Sequence, residues 1–278
     1  MKKTFLLVAA CLMCMLANAQ IFVVESVEKL PGASYADARV AGISPNGDYV
    51  LMTTGGENGL WRYDIATDKL NLITEARGAG FNVQVSDNGA EVVFSEMNIE
   101  KDRSITNDIY RINLAQNQKS QVAKSQPDFT QLTFAEANVK VINEDLQLYV
   151  VKNGKKIHIA PQGEEYTYIW QSLSPDKTKI LYYVSELGCY VCDIYGKNSQ
   201  FIGFDCRAPQ WYDNQTIIGM YDIDDEHFTV SSRIVAYTLD GKYQILTSPD
   251  MIAMYPFATE GKIAFSTVDS KTYLINVK

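Results

Sequence analysis

Histidine is scarce in this chain. There are two in 278 residues, His158 and His227, and neither has a partner at the spacing of a metal motif. Metal catalysis draws on clustered ligands, of which imidazole is the commonest neutral one, and a Ser-His-Asp relay needs an imidazole as its base. Both chemistries therefore lack their raw material. Positive charge is also in deficit: 25 Lys and Arg stand against 33 Asp and Glu, a formal net charge of −8. An acidic surface repels phosphate backbones, which argues against nucleic acid as a partner. Beyond residue 19 no apolar run approaches the ~18 residues of a membrane span, and no i, i+3, i+4, i+7 pattern persists for three turns. Long helices are thereby excluded. Cysteine falls to three past that point, Cys189, Cys192 and Cys206.

The first twenty residues read MKKTFLLVAACLMCMLANAQ. Lys2 and Lys3 make a basic start, Phe5 to Leu16 an apolar stretch too short to anchor stably, and Ala17-Asn18-Ala19 a run of small residues before a cleavage point. The expectation is a signal peptide over residues 1–19 and a single soluble domain over 20–278, periplasmic or secreted. A competing lipobox, Val8-Ala9-Ala10-Cys11, has too short an apolar run before it.

What the sequence does have is repetition. ISPNGDYVLM (Ile43 to Met52) returns as VSDNGAEVVF from Val85 and as LSPDKTKILY from Leu173. Each is followed by an alternating apolar run, a polar turn and a further short apolar run. RIVAYTLDGKYQILT from Arg233 and TYLINVK from Thr272 keep only this second half. Period-2 alternation with β-branched and aromatic residues, punctuated by Pro, Asn and Gly, reads as strand, turn, strand. Anchors near Ser44, Ser86, Ala135, Ser174, Tyr212 and Thr259 recur at roughly the ~40–45-residue period of four-stranded propeller blades. The copy from Phe134 to Ala160 is the weakest, with no Ser-Pro-Asp, although Asn153-Gly154 fits its turn. The last copy has three strands only, and Ile21 to Leu30 is a spare alternating strand. If the spare strand completes the last blade, the ring closes and both open edges vanish. The fold expected is all-β: a six-bladed β-propeller of four-stranded antiparallel blades, closed by the N-terminal strand.

Ser-Pro-Asn-Gly-Asp-Tyr-Val-Leu, and Ser-Pro-Asp-Lys-Thr-Lys-Ile-Leu with a later Asp-Ile, resemble the WD40-like repeats of TolB-type periplasmic propellers. They are also similar to the N-terminal propeller of the dipeptidyl peptidase IV family. The resemblance implies fold and says little of activity. The peptidases of that family carry a further hydrolase domain with a Gly-x-Ser-x-Gly elbow, which this chain lacks.

Cys189-Tyr190-Val191-Cys192 has the spacing of a redox motif, but it lies in a strand, where residues three apart face opposite ways. Cys192 aligns with Tyr63, Ile112 and Tyr237 and reads as buried packing. The hairpin at Gly196-Lys197-Asn198 is expected to set Cys189 opposite Asp205 or Cys206, making a Cys189–Cys206 cross-strand disulfide the candidate pairing. The oxygen-rich run Tyr221 to Glu226 offers Asp222, Asp224 and Glu226 as a weak metal candidate, without the glycine or the ligand spacing of a calcium loop; a solvated connection is favoured over it. On one rim of the ring, the connections between blades and between second and third strands carry Arg77, Arg103, Tyr166, Tyr168, Arg207, Trp211 and Tyr255. Arginine and aromatics on such loops are candidate binding residues, Tyr168 and Trp211 being equally readable as core. The functional expectation is a monomeric, non-catalytic module without cofactor that binds an envelope or secreted protein or peptide. The alternative is a carbohydrate lyase or glycosidase using channel-mouth carboxylates such as Asp213 and Glu136.

Overall fold

The computed structural model describes residues 20–127, 139–225 and 229–278. They form six antiparallel sheets arranged as the blades of a propeller. Blade I runs Ala38–Ile43, Tyr49–Thr54, Leu60–Asp64, Lys69–Thr74, and blade II Gln84–Val85, Glu91–Ile99, Ile105–Asn113, Gln118–Pro127. Blade III shows Val139–Glu144, Gln147–Lys152 and Lys155–Ile159 among the described residues; its expected anchor at Ala135, with Phe134 and Glu136, lies outside them. Blade IV runs Tyr168–Leu173, Lys179–Val184, Gly188–Asp193, Gln200–Gly203, and blade V Arg207–Trp211, Thr216–Asp224, Thr229–Thr238, Tyr243–Ile245. Blade VI takes Ala253–Thr259, Lys262–Thr267 and Thr272–Val277, and the strand Val24–Lys29 as its fourth. Among the described residues the first strands of blades I and II, IV and V, V and VI, and VI and I touch one another, so in these blades the first strand is the innermost.

The repeated decapeptide has a single physical job. In blade I the Ser44 hydroxyl accepts the amides of Asp48 and Tyr49 at 3.0 and 3.1 Å and donates to the Asp48 carboxylate at 2.6 Å. Ser86 accepts from Glu91 N and donates to Asn88, and Ser174 accepts from Lys179 N and donates to Asp176. The hydroxyl thus supplies the acceptor that a tight turn leaves its amides without. The fourth residue of each turn is left-handed: Gly47 (φ +65°), Gly89 (φ +70°) and Lys177 (φ +60°). Glycine takes that conformation without strain.

The second strands read as unbroken apolar runs because both faces are buried. Val50 and Met52 pack with Ala264 and Leu274 of blade VI, while Tyr49 and Leu51 pack with Val92 and Phe94 of blade II. Ile180, Tyr182 and Val184 face blade III, and Leu181 faces blade V. The core is therefore a series of seams between blades.

The ring closes as expected. Val24–Lys29 pairs antiparallel with Thr272–Val277, and Val23 and Lys278 exchange backbone bonds of 2.9 and 3.0 Å. Turns on one face then lock to their neighbours. Tyr212 Oη accepts from Gly261 N at 2.7 Å, Thr259 Oγ1 donates to Pro45 O, Tyr49 Oη donates to Gly89 O at 2.9 Å, and Asp176 N donates to Asn214 Oδ1 at 3.0 Å. One face of the propeller is fastened turn to turn; the opposite face carries the connections between blades.

Candidate functional site

The inner strands share an irregularity at one register. Four residues before the anchors of blades II, IV, V and VI stands a non-glycine residue in the left-handed region: Asn82 (φ +50°), Trp170 (φ +52°), Ala208 (φ +46°) and Tyr255 (φ +52°). In blades IV, V and VI the pairing slips at these points, between Ile169 and Ser172, Arg207 and Gln210, and Met254 and Phe257. These are β-bulges, which re-aim side chains at barrel and sheet rims. For residues as bulky as Trp and Tyr such a backbone costs on the order of 1–3 kcal/mol, and strain of this kind clusters at functional sites. Trp170 and Tyr255 are also exposed, at 39% and 41%, although they lie in innermost strands.

A polar network continues from Trp170. Its ring meets Tyr183 edge-on at 5.2 Å. Burial raises the Tyr183 hydroxyl pKa, and the Arg207 guanidinium beside it works against that rise. Arg207 Nη1 lies 3.2 Å from Asp222 and 3.3 Å from Asp224. The Asp222 side chain is only 5% exposed, and the Ser232 hydroxyl sits 2.5 Å from both its carboxylate and Ala253 O of blade VI. Thr229 donates to Asp224 at 2.8 Å. Burial lowers and the two carboxylates raise the Arg207 pKa, with a net rise, so the cation is held firmly. A planar guanidinium whose Nη1 bridges two carboxylates presents its remaining N–H groups in fixed directions.

The sequence candidates divide accordingly. Arg207 and Tyr255 belong to this mouth. Arg77 and Arg103 are exposed on the same face, Arg103 left-handed (φ +70°) in the loop between two strands of blade II. Tyr166 is half-buried, with its carbonyl accepting Gln147 Nε2 at 2.9 Å. Tyr168 is not a rim residue: it is wholly buried, its hydroxyl donating to Gly163 O at 2.8 Å and accepting Gln162 N at 3.1 Å. Trp211 lies at the far end of its strand, toward the locked turns, with its indole N–H 3.4 Å from Ser172 O of blade IV. Asp222 and Asp224 are taken up by Arg207 rather than set out for a metal, and Glu226, with His227, lies outside the described residues. Among the described residues no group of three or more His, Cys, Asp or Glu is placed to hold a metal ion. Asp213 is a turn residue, accepting the amides of Gln215 and Thr216 at 2.7 Å each. Trp170 and Tyr183 were missed by sequence reasoning, although Trp170, Ala208 and Tyr255 line up once the anchors are aligned.

The cysteines also need correction. Cys189 pairs with Gly203, not with Asp205 or Cys206, because the hairpin turns about Tyr195, earlier than Gly196-Lys197-Asn198, and sets Tyr190 opposite Phe201. Cys206 nonetheless lies against it at the entry to blade V, and both are buried free thiols. Burial, then the neighbouring Cys206, pushes the Cys189 thiol well up, and burial raises Cys192 to about 12. Cys192 faces the blade III seam, away from the other two. If the protein is refolded under oxidising conditions, peptide mapping without reduction is expected to link Cys189 to Cys206 and leave Cys192 free. A bridge to Cys192 would contradict the face assignment.

No family model and no curated protein matches the chain. Among solved structures it is similar to TolB from Acinetobacter baumannii (TM-score 0.54, 13% identity), over 85% of this chain and 55% of that one. It is similar to a TolB-type protein from Agrobacterium tumefaciens (TM-score 0.58, 13% identity) over 91% and 96% of the two chains. An oligogalacturonate lyase in complex with manganese is also similar (TM-score 0.50, 12% identity), over 85% of this chain and 76% of the lyase. At such identities the likeness is one of fold: the chain shares the β-propeller of TolB-type proteins.

Proposed function

We propose that this chain is an exported, monomeric, non-catalytic β-propeller that binds a protein or peptide of the cell envelope. The contact face is the one opposite the locked turns, centred on Trp170, Arg207 and Tyr255. The observation that carries this reading is the pair of large aromatics held exposed on strained backbone beside an arginine fixed by two carboxylates. Aromatics and arginine are the residue types that dominate interface energies. The export step rests on the signal-peptide reading of residues 1–19, which lie outside the described residues; no helix of the described residues is long and apolar enough to cross a membrane. The likeness to TolB-type propellers agrees with an envelope role, and the likeness to the dipeptidyl peptidase IV propeller rests on sequence pattern alone.

The test is affinity capture from an envelope extract with the wild type and the Trp170→Ala/Tyr255→Ala variant. A partner held by the wild type and lost by the variant, which still unfolds cooperatively, is the expected result. Equal capture by both overturns the site. A second reading, a carbohydrate lyase or glycosidase, is favoured by the fold likeness to the oligogalacturonate lyase. Turnover of oligogalacturonate, with or without added manganese, would establish it over the first.

A further inference from the structure

A second feature lies outside the channel mouth, between the outer parts of blades IV and V. There a cleft of about 360 Å³ is lined by Phe201, Phe204, Asp205, Tyr221, Tyr237 and Tyr243, with Gly203 in its wall. Gly203 keeps it open, since a β-carbon there would sit 2.9 Å from the Tyr237 ring. Phe201 and Phe204 are 49% and 59% exposed, an unusual state for two phenylalanines only three residues apart. Tyr237 and Tyr243 are in ring contact at 5.7 Å. The one acid of the lining, Asp205, makes no ion pair among those found in the described residues, because the adjacent Arg207 is committed to Asp222 and Asp224. Burial, then Asp222, raises the Asp205 carboxyl pKa against the pull of Arg207. Counting these four side chains, one cation faces three carboxylates, so the neighbourhood is net negative.

Aromatic faces carry negative quadrupoles that attract cations, most strongly where water is excluded, and alkylammonium groups are recognised by such cages. A volume at the low end of the range for small-ligand sites suits a compact head group. We propose that this cleft binds an alkylammonium cation, with the aromatic rings surrounding the charged head and Asp205 balancing its charge. The cation could be free or the side chain of a lysine on a partner, and the chemistry is common to both.

The experiment uses the whole chain and three probes: choline, its neutral isostere 3,3-dimethyl-1-butanol, and acetyl-lysine-methylamide with a free ε-amine. Binding is followed by saturation-transfer NMR and calorimetry. Choline is expected to bind and the neutral isostere about two- to fivefold more weakly, in line with a cation–π contact at a partly exposed site. Phe204→Ala, at an exposed position, and Asp205→Asn should each weaken choline about threefold or more, with thermal melts no lower than wild type for Asp205→Asn. Preference for the lysine derivative points to a partner's side chain, and preference for choline to a free ligand. Equal binding of the neutral isostere, or no binding of either cation, overturns the proposal. Choline binding that survives Asp205→Asn and Phe204→Ala unchanged also overturns this location. The Trp170→Ala/Tyr255→Ala variant should bind choline normally, which separates this site from the channel mouth.

Discussion

Deleting residues 20–30 is expected to abolish cooperative unfolding and drive the protein into aggregates. The segment does more than add a strand. Phe22 is buried against the blade V–VI core and Leu30 against the blade VI–I core. The amides of Ile21 and Phe22 both donate to Gln244 of blade V, at 2.7 and 2.8 Å, and Gln244 returns a bond to Phe22 O at 3.0 Å. Loss of each buried side chain removes about 2–3 kcal/mol, and loss of the ladder along Thr272–Val277 bares a hydrogen-bonding edge that recruits other chains. Against a total stability of ~5–15 kcal/mol, the sum is decisive. Circular dichroism melts and size-exclusion chromatography check it. A synthetic peptide of residues 20–31 supplied during refolding should restore the monomer by strand addition. A deletion variant that melts like the wild type would falsify ring closure as the basis of stability.

Arg207→Glu has the next largest expected effect. It removes the cation between Asp222 and Asp224 and leaves the nearly inaccessible Asp222 with Ser232 as its remaining donor. Removing one partner of a fully buried pair costs about 3–5 kcal/mol. Arg207 is 40% exposed, so water screens part of the loss and about 1–3 kcal/mol is expected. Two consequences distinguish electrostatics from lost packing. Added salt should recover part of the deficit of Arg207→Glu, because the new repulsion is screened. Arg207→Ala should show less salt dependence, and Arg207→Lys, which keeps the charge but loses the planar guanidinium, should fall between it and the wild type. Denaturant melts at low and high ionic strength provide the comparison; a Glu variant whose deficit ignores salt contradicts the charge network.

Asp205 shows the opposite balance. Its folded carboxyl pKa is raised, so the folded state holds the proton to higher pH than the unfolded chain does. The sign follows from linkage: its contribution is favourable below the unfolded value and is lost as pH rises through the folded one. At neutral pH the carboxylate therefore brings no stability, which is why Asp205→Asn is expected to leave the melt unchanged or higher.

The legible parts of this protein are those where chemistry demands a residue type. A Ser hydroxyl was needed at Ser44, Ser86 and Ser174 to accept turn amides, and a left-handed turn residue favoured Gly47 and Gly89, so three blades announced themselves. Blade III lacks that serine and was read from strand spacing and the Asn153-Gly154 turn. The bulges were illegible because Trp170, Ala208 and Tyr255 have no intrinsic liking for left-handed backbone; their conformation is imposed by the fold. The cysteine register differed for another reason: the blade IV hairpin turns about Tyr195, earlier than Gly196-Lys197-Asn198, which sets Tyr190 opposite Phe201. For Tyr168 the sequence left rim and core equally open, and the structure decides for the core, where Gln162 and Gly163 satisfy its hydroxyl.

The fastening of turns from Tyr212 to Gly261, Thr259 to Pro45 and Tyr49 to Gly89 makes the molecule two-sided in a practical sense. A graft into the loop around Arg103 disturbs none of these bonds, while a single inserted residue between Asn46 and Gly47 breaks the clasp joining three blades. The protein is thus a tray with a clasped underside, and its upper surface is where foreign segments can be displayed without opening the clasp.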